Sequence, residues 1–383
     1  MIFYPRLTQY LSVLSAALML LCSSTVFAKT VITIDDEFAI AFESGQLDTR
    51  NYQGEVFQVE ILEDDYVIAT ADRILVVTEG EYEQPDFVLK KLEIDNLESM
   101  QDDISLNARS IRIGDLPLGM LSDEGDSSTQ QLDWDKISYE MEFVEFINDI
   151  DGVAVFIPRL ATMPLKFETL PDGTSFIAAG GVEMPFMQIL PTGDSAFAGE
   201  FQSWLETANL QHIELSLFAR GTNTPLDDDM ISKSMFEMRI FGMIDLLLES
   251  EFVFSKSAFT KMAGPDFAEM DDDALIELLV SDGRLGELEL NLRDQGLLAF
   301  IETTGTTPPF ELLAGQLQAL MTSFLPQTGQ SLATPIAKFM TESGALQIKA
   351  APNTPFKFQD FAAAIFMADF VAQQLNLETS HQP

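Results

Sequence analysis

His212, Glu214 and Ser216 come nearest to a catalytic set in this chain: an imidazole base, a carboxylate to orient it and a hydroxyl nucleophile. On a strand running through Leu210 to Leu217, these three face one way and Ile213, Leu215 and Leu217 face the other. A triad needs contacts of about 2.6–3.2 Å, and residues two apart on a strand stand roughly 7 Å apart. The spacing therefore predicts a solvated strand face, not a triad.

Other chemistries are scarcer still. The one other histidine is His381, near the C-terminus, and the single cysteine is Cys22. A zinc enzyme with two or three histidine ligands does not fit this supply. A thiolate metal site and a redox pair need cysteines the chain does not have. No Gly-x-Ser-x-Gly elbow, Ser-x-x-Lys, phosphate-binding loop or Gly-x-Gly-x-x-Gly occurs. Three acidic clusters, Asp123-Glu124 with Asp126, Asp149 with Asp151-Gly152, and Asp227 to Asp229, could attract calcium. None has the ligand spacing of an EF-hand, and turn formation or helix capping accounts for such runs. Carboxylate pairs for a glycosidase are inevitable by chance among 61 acidic residues. The residues thus assign no catalytic, cofactor-binding or metal-ligating role and imply no cofactor.

The elements that would position any site divide into three stretches. Residues 1–28 read as a signal peptide. Arg6 precedes an apolar run from Leu11 to Leu21, and Val26-Phe27-Ala28 suits cleavage before Lys29. The run is short for a membrane span, which needs about 20 residues. This leader predicts a periplasmic or extracellular location in a bacterial envelope.

Residues 29–254 alternate with period two, as in Phe57, Val59 and Ile61, Ile104, Leu106 and Ala108, and Val153, Val155 and Ile157. That is the pattern of antiparallel strands with one buried face. A degenerate repeat of strand, acidic turn and strand runs through this stretch. Val59 to Leu62 and Val67 to Ala71 lead into Arg73. Leu92 to Leu97 and Ile104 to Ala108 approach Arg109. Val144 to Ile147 and Val153 to Ile157 lead into Arg159. A fourth echo is Ile213 to Leu217 before Arg220. Single hairpins are marginal alone, so the units are expected to pair edge to edge.

Residues 255–383 change period. A short helix is expected from Ala274 to Val280 and a strand at Leu288, Leu290 and Leu292. An amphipathic helix is expected with Thr307 as N-cap, Pro308 first in the helix and Pro326 as its stop. A further helix follows through Leu332, Ile336 and Met340, then a strand at Leu346 and Ile348, and a last helix over Phe361 to Leu375. The predicted class is β-rich α+β: antiparallel hairpin repeats forming an extended sheet, then a C-terminal α+β portion with amphipathic helices.

Charge and composition narrow the function. A net charge of −40 repels nucleic acid and anionic headgroups from the general surface. With 46% hydrophobic residues and 30 Phe the chain is core-forming rather than disordered. In general plan it resembles envelope proteins that handle lipid or support outer-membrane assembly, a likeness of the β-rich stretch without diagnostic residues. The expectation is a non-catalytic binding or scaffolding protein holding an apolar or lipid ligand against a one-sided sheet through Val59, Ile61, Ile104, Leu106, Val153 and Val155. A secreted hydrolase using carboxylates and a calcium-dependent exported adhesin-like protein are the alternatives.

Overall fold

The computed structural model describes residues 30–383 apart from 34–37, 49–52, 64–65, 81–86, 102, 118–137, 171–174, 264–271 and 305–307. The leader, the cluster at Asp123 to Asp126 and Thr307 lie outside the described residues. The fold is β-rich α+β: antiparallel strands follow one another in chain order, and most helices lie toward the C-terminal end. Two compact units form, one from residues up to 165 with 186–202, the other from 166–185 with 203–383.

The first unit is an antiparallel meander of β1 (Thr30–Thr33), β2 (Phe38–Asp48), β3 (Gln53–Glu63), β4 (Tyr66–Glu79), β5 (Val88–Gln101), β6 (Ile104–Pro117) and β7 (Ser138–Asn148). It continues into β8 (Val153–Thr169) and takes in the last residues of β9 (Ser175–Pro191). The predicted hairpin repeats are β3–β4, β5–β6 and β7–β8. Val59, Ile61, Leu92, Ile94 and Ile111 lie in one continuous core.

These three hairpins share a feature that alternation alone does not reveal. One residue in the first strand of each is left-handed: Gln58 (φ 52°), Asn96 (φ 51°) and Phe143 (φ 52°). The pairing steps across each of them. Phe42 pairs Val59 and Ser44 pairs Phe57, which leaves Gln58 opposite Glu43 and, on the other side, Asp72. Likewise Asn96 faces Arg109, and Phe143 faces Arg109 and Pro158. Because both strands of each pair carry the extra residue, register is kept while every strand bends along one transverse row.

The bend reverses the parity of the inward face. Val56 points in, then Val59 and Ile61; Leu92 and Ile94 point in, then Leu97; Ala69 and Ala71, then Val76. Phe57, expected beside Val59 in the core, is instead 38% exposed, because Gln58 inserts between them. Polar contacts line the outer side of the row. Asp72 accepts from Asn96 Nδ2 (2.7 Å) and Gln58 Nε2 (3.4 Å), and the Arg109 guanidinium lies 5.1 Å from the centroid of the Phe143 ring. Asparagine tolerates this backbone and a β-branched residue does not. Asn96→Val is therefore expected to lower unfolding free energy by about 1–3 kcal/mol, and Asn96→Gly by far less. Urea denaturation of the two variants decides this.

The repeat also reaches the ion pairs. Arg73 Nε donates to Glu55 Oε1 (2.6 Å), and Arg159 Nε donates to Glu140 Oε1 (2.9 Å). Each glutamate lies three residues before the left-handed position of its hairpin. The expected fourth echo is different: Ile213 to Leu217 belongs to one unbroken strand that runs past Arg220, so no acidic turn divides it.

A helix unforeseen within the β-rich stretch, α1 (Ala196–Thr207), follows β9. Ser195 caps it: its Oγ accepts from Ala198 N (2.9 Å) and donates to Asp151 O (2.7 Å).

The second unit holds β10 (Ile213–Leu226), β11 (Asp229–Ile240), β12 (Ile244–Ser255), α2 (Lys256–Ala263), α3 (Asp272–Asp282), β13 (Arg284–Asp294), α4 (Leu297–Thr304), α5 (Phe310–Phe324) and α6 (Gly329–Glu342). Then come β14 (Ala345–Ala350), β15 (Phe356–Lys357), a 3-10 turn at Phe358–Ala363, α7 (Ala364–Gln374) and β16 (Glu378–Gln382). Strands β10, β11, β12, β13, β14 and β16 are successive antiparallel neighbours. The break expected at Gly242 separates β11 from β12, with Gly242 at φ 74°. Helix α5 begins later than expected: Pro309, not Thr307, is its N-cap, and the Phe310 N–H turns to Glu302 Oε1 (3.4 Å). The last helix is shorter than expected, because the chain is 3-10 through Ala363 and Met367 departs from helical angles.

Candidate functional site

Within the second unit, the register aligns apolar side chains in rows across the sheet. One row is Leu217, Met238, Leu246, Leu292 and Leu346; the next is Ala219, Phe236, Leu248, Leu290 and Ile348. Directly paired residues share a face, so the rows form one apolar surface. Only Leu346 is fully buried; the others are half-buried.

The rims of this surface are closed by different devices. At the β10–β11 turn end, Met230, Phe254 and Phe259 pack into a core with Leu279 of α3. At the β14–β16 side, α6 is held down by polar bonds. Thr379 Oγ1 donates to Leu332 O (2.8 Å), and His381 Nε2 donates to Ser343 O (2.5 Å). Thr379 and His381 pair with Ile348 and Leu346, so α6 lies on the apolar side of the sheet. The middle, on β11 to β13, keeps its residual exposure.

The opposite face is polar and internally neutralised. Lys233 meets Glu251 (2.9 Å), Arg239 meets Glu237 (2.6 Å), and Lys349 bridges Glu287 (2.6 Å) and Glu289 (3.3 Å). Glu289 also accepts from Asn291 Nδ2 and Gln347 Nε2, and these bonds, with Lys349, hold its carboxyl below the usual range. Glu93 is lowered too, first by the hydrogen bond from Lys91 and then by Arg73. Asp369 is lowered as well. Burial opposes this, but bonds from Gln327 N and Thr328 outweigh it. A general acid needs displacement in the other direction, so these three carboxylates are built as ion-pair and capping partners.

His212 and Glu214 do touch, with Nε2 2.7 Å from Oε1. The expected separation fails because β10 begins at Ile213, so His212 precedes the strand and can fold back along it. Ser216, on the regular strand, takes no part in the pair.

The two acidic clusters among the described residues resolve into a turn and a buttress. Asn148 Oδ1 accepts from Ile150 N and Asp151 N, and its Nδ2 donates to Asp151 Oδ2 (2.8 Å), closing the turn before Gly152. Asp229 is held by both Arg284 nitrogens (2.5 and 3.0 Å), and the Asp227 carbonyl accepts from Lys256 Nζ. Among the described residues no three His, Cys, Asp or Glu side chains gather closely enough to hold a metal ion.

The face expected to hold a ligand in the β-rich stretch is closed where it begins. Val59 and Ile61 are fully buried in the first unit's core; Ile104, Leu106, Val153 and Val155 are half-buried. The β10–β13 rows escape a sequence reading because they arise only from register. Alternation at Phe236, Met238 and Ile240 and at Leu288 to Leu292 is legible, but not that these residues stand side by side. No protein-family model matches this chain, and no curated protein matches it.

Proposed function

We propose that this chain is a non-catalytic binding protein of the bacterial cell envelope, periplasmic or extracellular, that holds an apolar chain such as a fatty acyl group. The apolar rows on β10–β13 of the second unit would seat it. The observation that carries the reading is their half-burial: Leu217, Met238, Leu246, Leu248 and Leu290 form a continuous apolar surface that retains solvent contact. In this reading the surface is the seat, because contiguous apolar side chains left in contact with water favour an apolar occupant. An acyl chain laid on it gains about 0.8 kcal/mol per buried methylene. Roughly eight methylenes would give a gross gain of about 6 kcal/mol, part of it lost to association entropy. Micromolar or weaker binding follows, with no charged anchor required. The leader-like residues 1–28 supply the location in this reading.

Leu246→Asp places a carboxylate in the middle of the surface at a position that is only half-buried. The variant is expected to fold and to lose uptake of a fluorescent fatty-acid analogue. A wild-type protein that takes up no such probe, or a Leu246→Asp variant that matches the wild type, overturns the reading.

A further inference from the structure

The stretch from Leu297 to Leu377 differs electrostatically from the rest of the chain. Its acidic residues are Glu302, Glu311, Glu342, Asp360 and Asp369, and Lys338, Lys349 and Lys357 offset all but two of them. Nearly the whole charge of −40 therefore resides elsewhere. This near-neutral stretch also exposes large apolar side chains. On α5, Leu320 is 56% exposed and Phe324, one turn later, 66%; on α7, Met367 is 52% and Phe370 54% exposed.

These side chains flank one loop. Asp369 of α7 accepts from the backbone N–H groups of Gln327 and Thr328 and from Thr328 Oγ1 (3.0, 3.0 and 2.8 Å). Gln373 Nε2 donates to Gln327 Oε1 (3.1 Å). The α5–α6 loop is thereby tied to α7, with Phe324 just before it and Phe370 adjacent to the tie. Asp369, next to Phe370 in the chain, is consumed by three donors.

We propose that this patch, the C-terminal turn of α5 with the exposed side of α7, docks the protein on a lipid bilayer surface. Charge decides between occupants. A second copy would bring another chain of −40 alongside, and a basic protein partner would be drawn to the acidic remainder rather than to the one stretch that lacks charge. A zwitterionic bilayer carries no net charge and accepts Leu and Phe side chains into its interface. Interfacial helices usually add lysine and arginine for anionic lipid; α5 and α7 have none. Docking here rests on apolar insertion alone, and anionic lipid opposes it through the charge on the rest of the chain. The proposal does not depend on acyl binding at β10–β13.

Vesicle flotation of the full chain tests it, with Phe324→Asp and Phe370→Asp as variants. All three proteins carry the same leader-like residues 1–28, so any difference belongs to the patch. Wild type is expected to float with phosphatidylcholine vesicles, and each variant to partition about tenfold less or weaker. Both side chains are exposed, so melting temperature and fatty-acid uptake should be unchanged. Mixing phosphatidylglycerol into the vesicles should weaken wild-type binding at low salt, with sodium chloride restoring it. Absence of flotation, equal flotation of variants and wild type, or tighter binding to anionic vesicles overturns the proposal. So does self-association that Phe324→Asp abolishes in the absence of lipid binding, which would assign the patch to a second copy.

Discussion

Leu92→Ala is expected to lower the unfolding free energy by about 3 kcal/mol, and Phe57→Ala by less than about 1 kcal/mol, although phenylalanine is the larger side chain. Leu92 is 1% exposed and lies at the centre of the first unit's core, among Val76, Ile94 and Ile111. Truncation there removes the transfer free energy of the lost carbons and leaves a cavity that a sheet paired on both sides cannot collapse. Phe57 is 38% exposed on the outer side of the bent row. Its loss uncovers Arg73, to which it is directly paired, but opens no cavity. Urea midpoints of the two variants, with unchanged m-values, measure the contrast. If Phe57→Ala is the more damaging, the bend at Gln58 does not turn that side chain outward.

The same pair shows how far the sequence could be read. Period-two alternation identifies strands because inward and outward positions differ in free energy of burial, and that difference is local in sequence. It places β3 to β8 and the hairpin repeat correctly. It fails at Phe57 because alternation is blind to a left-handed residue, and glutamine or phenylalanine at such a position carries none of the signal that glycine would. Asn96 is the one member of the row whose type suggests it. The helix α1 is masked in the sequence because its apolar positions Phe197, Phe201 and Trp204 at helical spacing sit inside a stretch dominated by strands. The β10–β13 surface was hidden for another reason. Register between strands is set by turns such as that at Asp227 (φ 49°), so which leucines become neighbours is a property of the whole sheet. The His212–Glu214 contact turns on a strand that begins at Ile213 and not at Leu210, and element boundaries are the least legible feature of any sequence.

Arg73→Ala is expected to cost about 2 kcal/mol at neutral pH, and Arg159→Ala well under about 1 kcal/mol, though the two occupy equivalent places in their hairpins. Arg73 is 27% exposed and meets three carboxylates: Glu55 (2.6 Å), Asp95 (2.9 Å) and Glu93 (3.2 Å). Its hydrogen bonds to Glu55 and Asp95, then to Glu93, push the guanidinium further above its already high range. Removing it leaves those three carboxylates clustered with Lys91 on Glu93 as the remaining cation at hydrogen-bond range. Arg159 is half exposed, and the pair with Glu140 that it shares by repeat sits near solvent, where ion pairs contribute little. The pH dependence follows from the direction of the Glu93 shift. A carboxyl held below its unfolded value stabilises the fold above that value and loses its contribution as pH falls through the folded one. Lys91 contributes most to the Glu93 shift and Arg73 adds to it, so in wild type acidification through the Glu93 value removes the part that the Arg73–Glu93 pair supplies. In Arg73→Ala that part is already gone, and protonation of Glu93 costs correspondingly less. The stability gap between them should be widest above about pH 5 and close as pH falls toward about 3. Chemical denaturation of both proteins across that window measures it. A gap that stays constant with pH would mean that Arg73 acts by packing its aliphatic stem against the sheet and not through its charge.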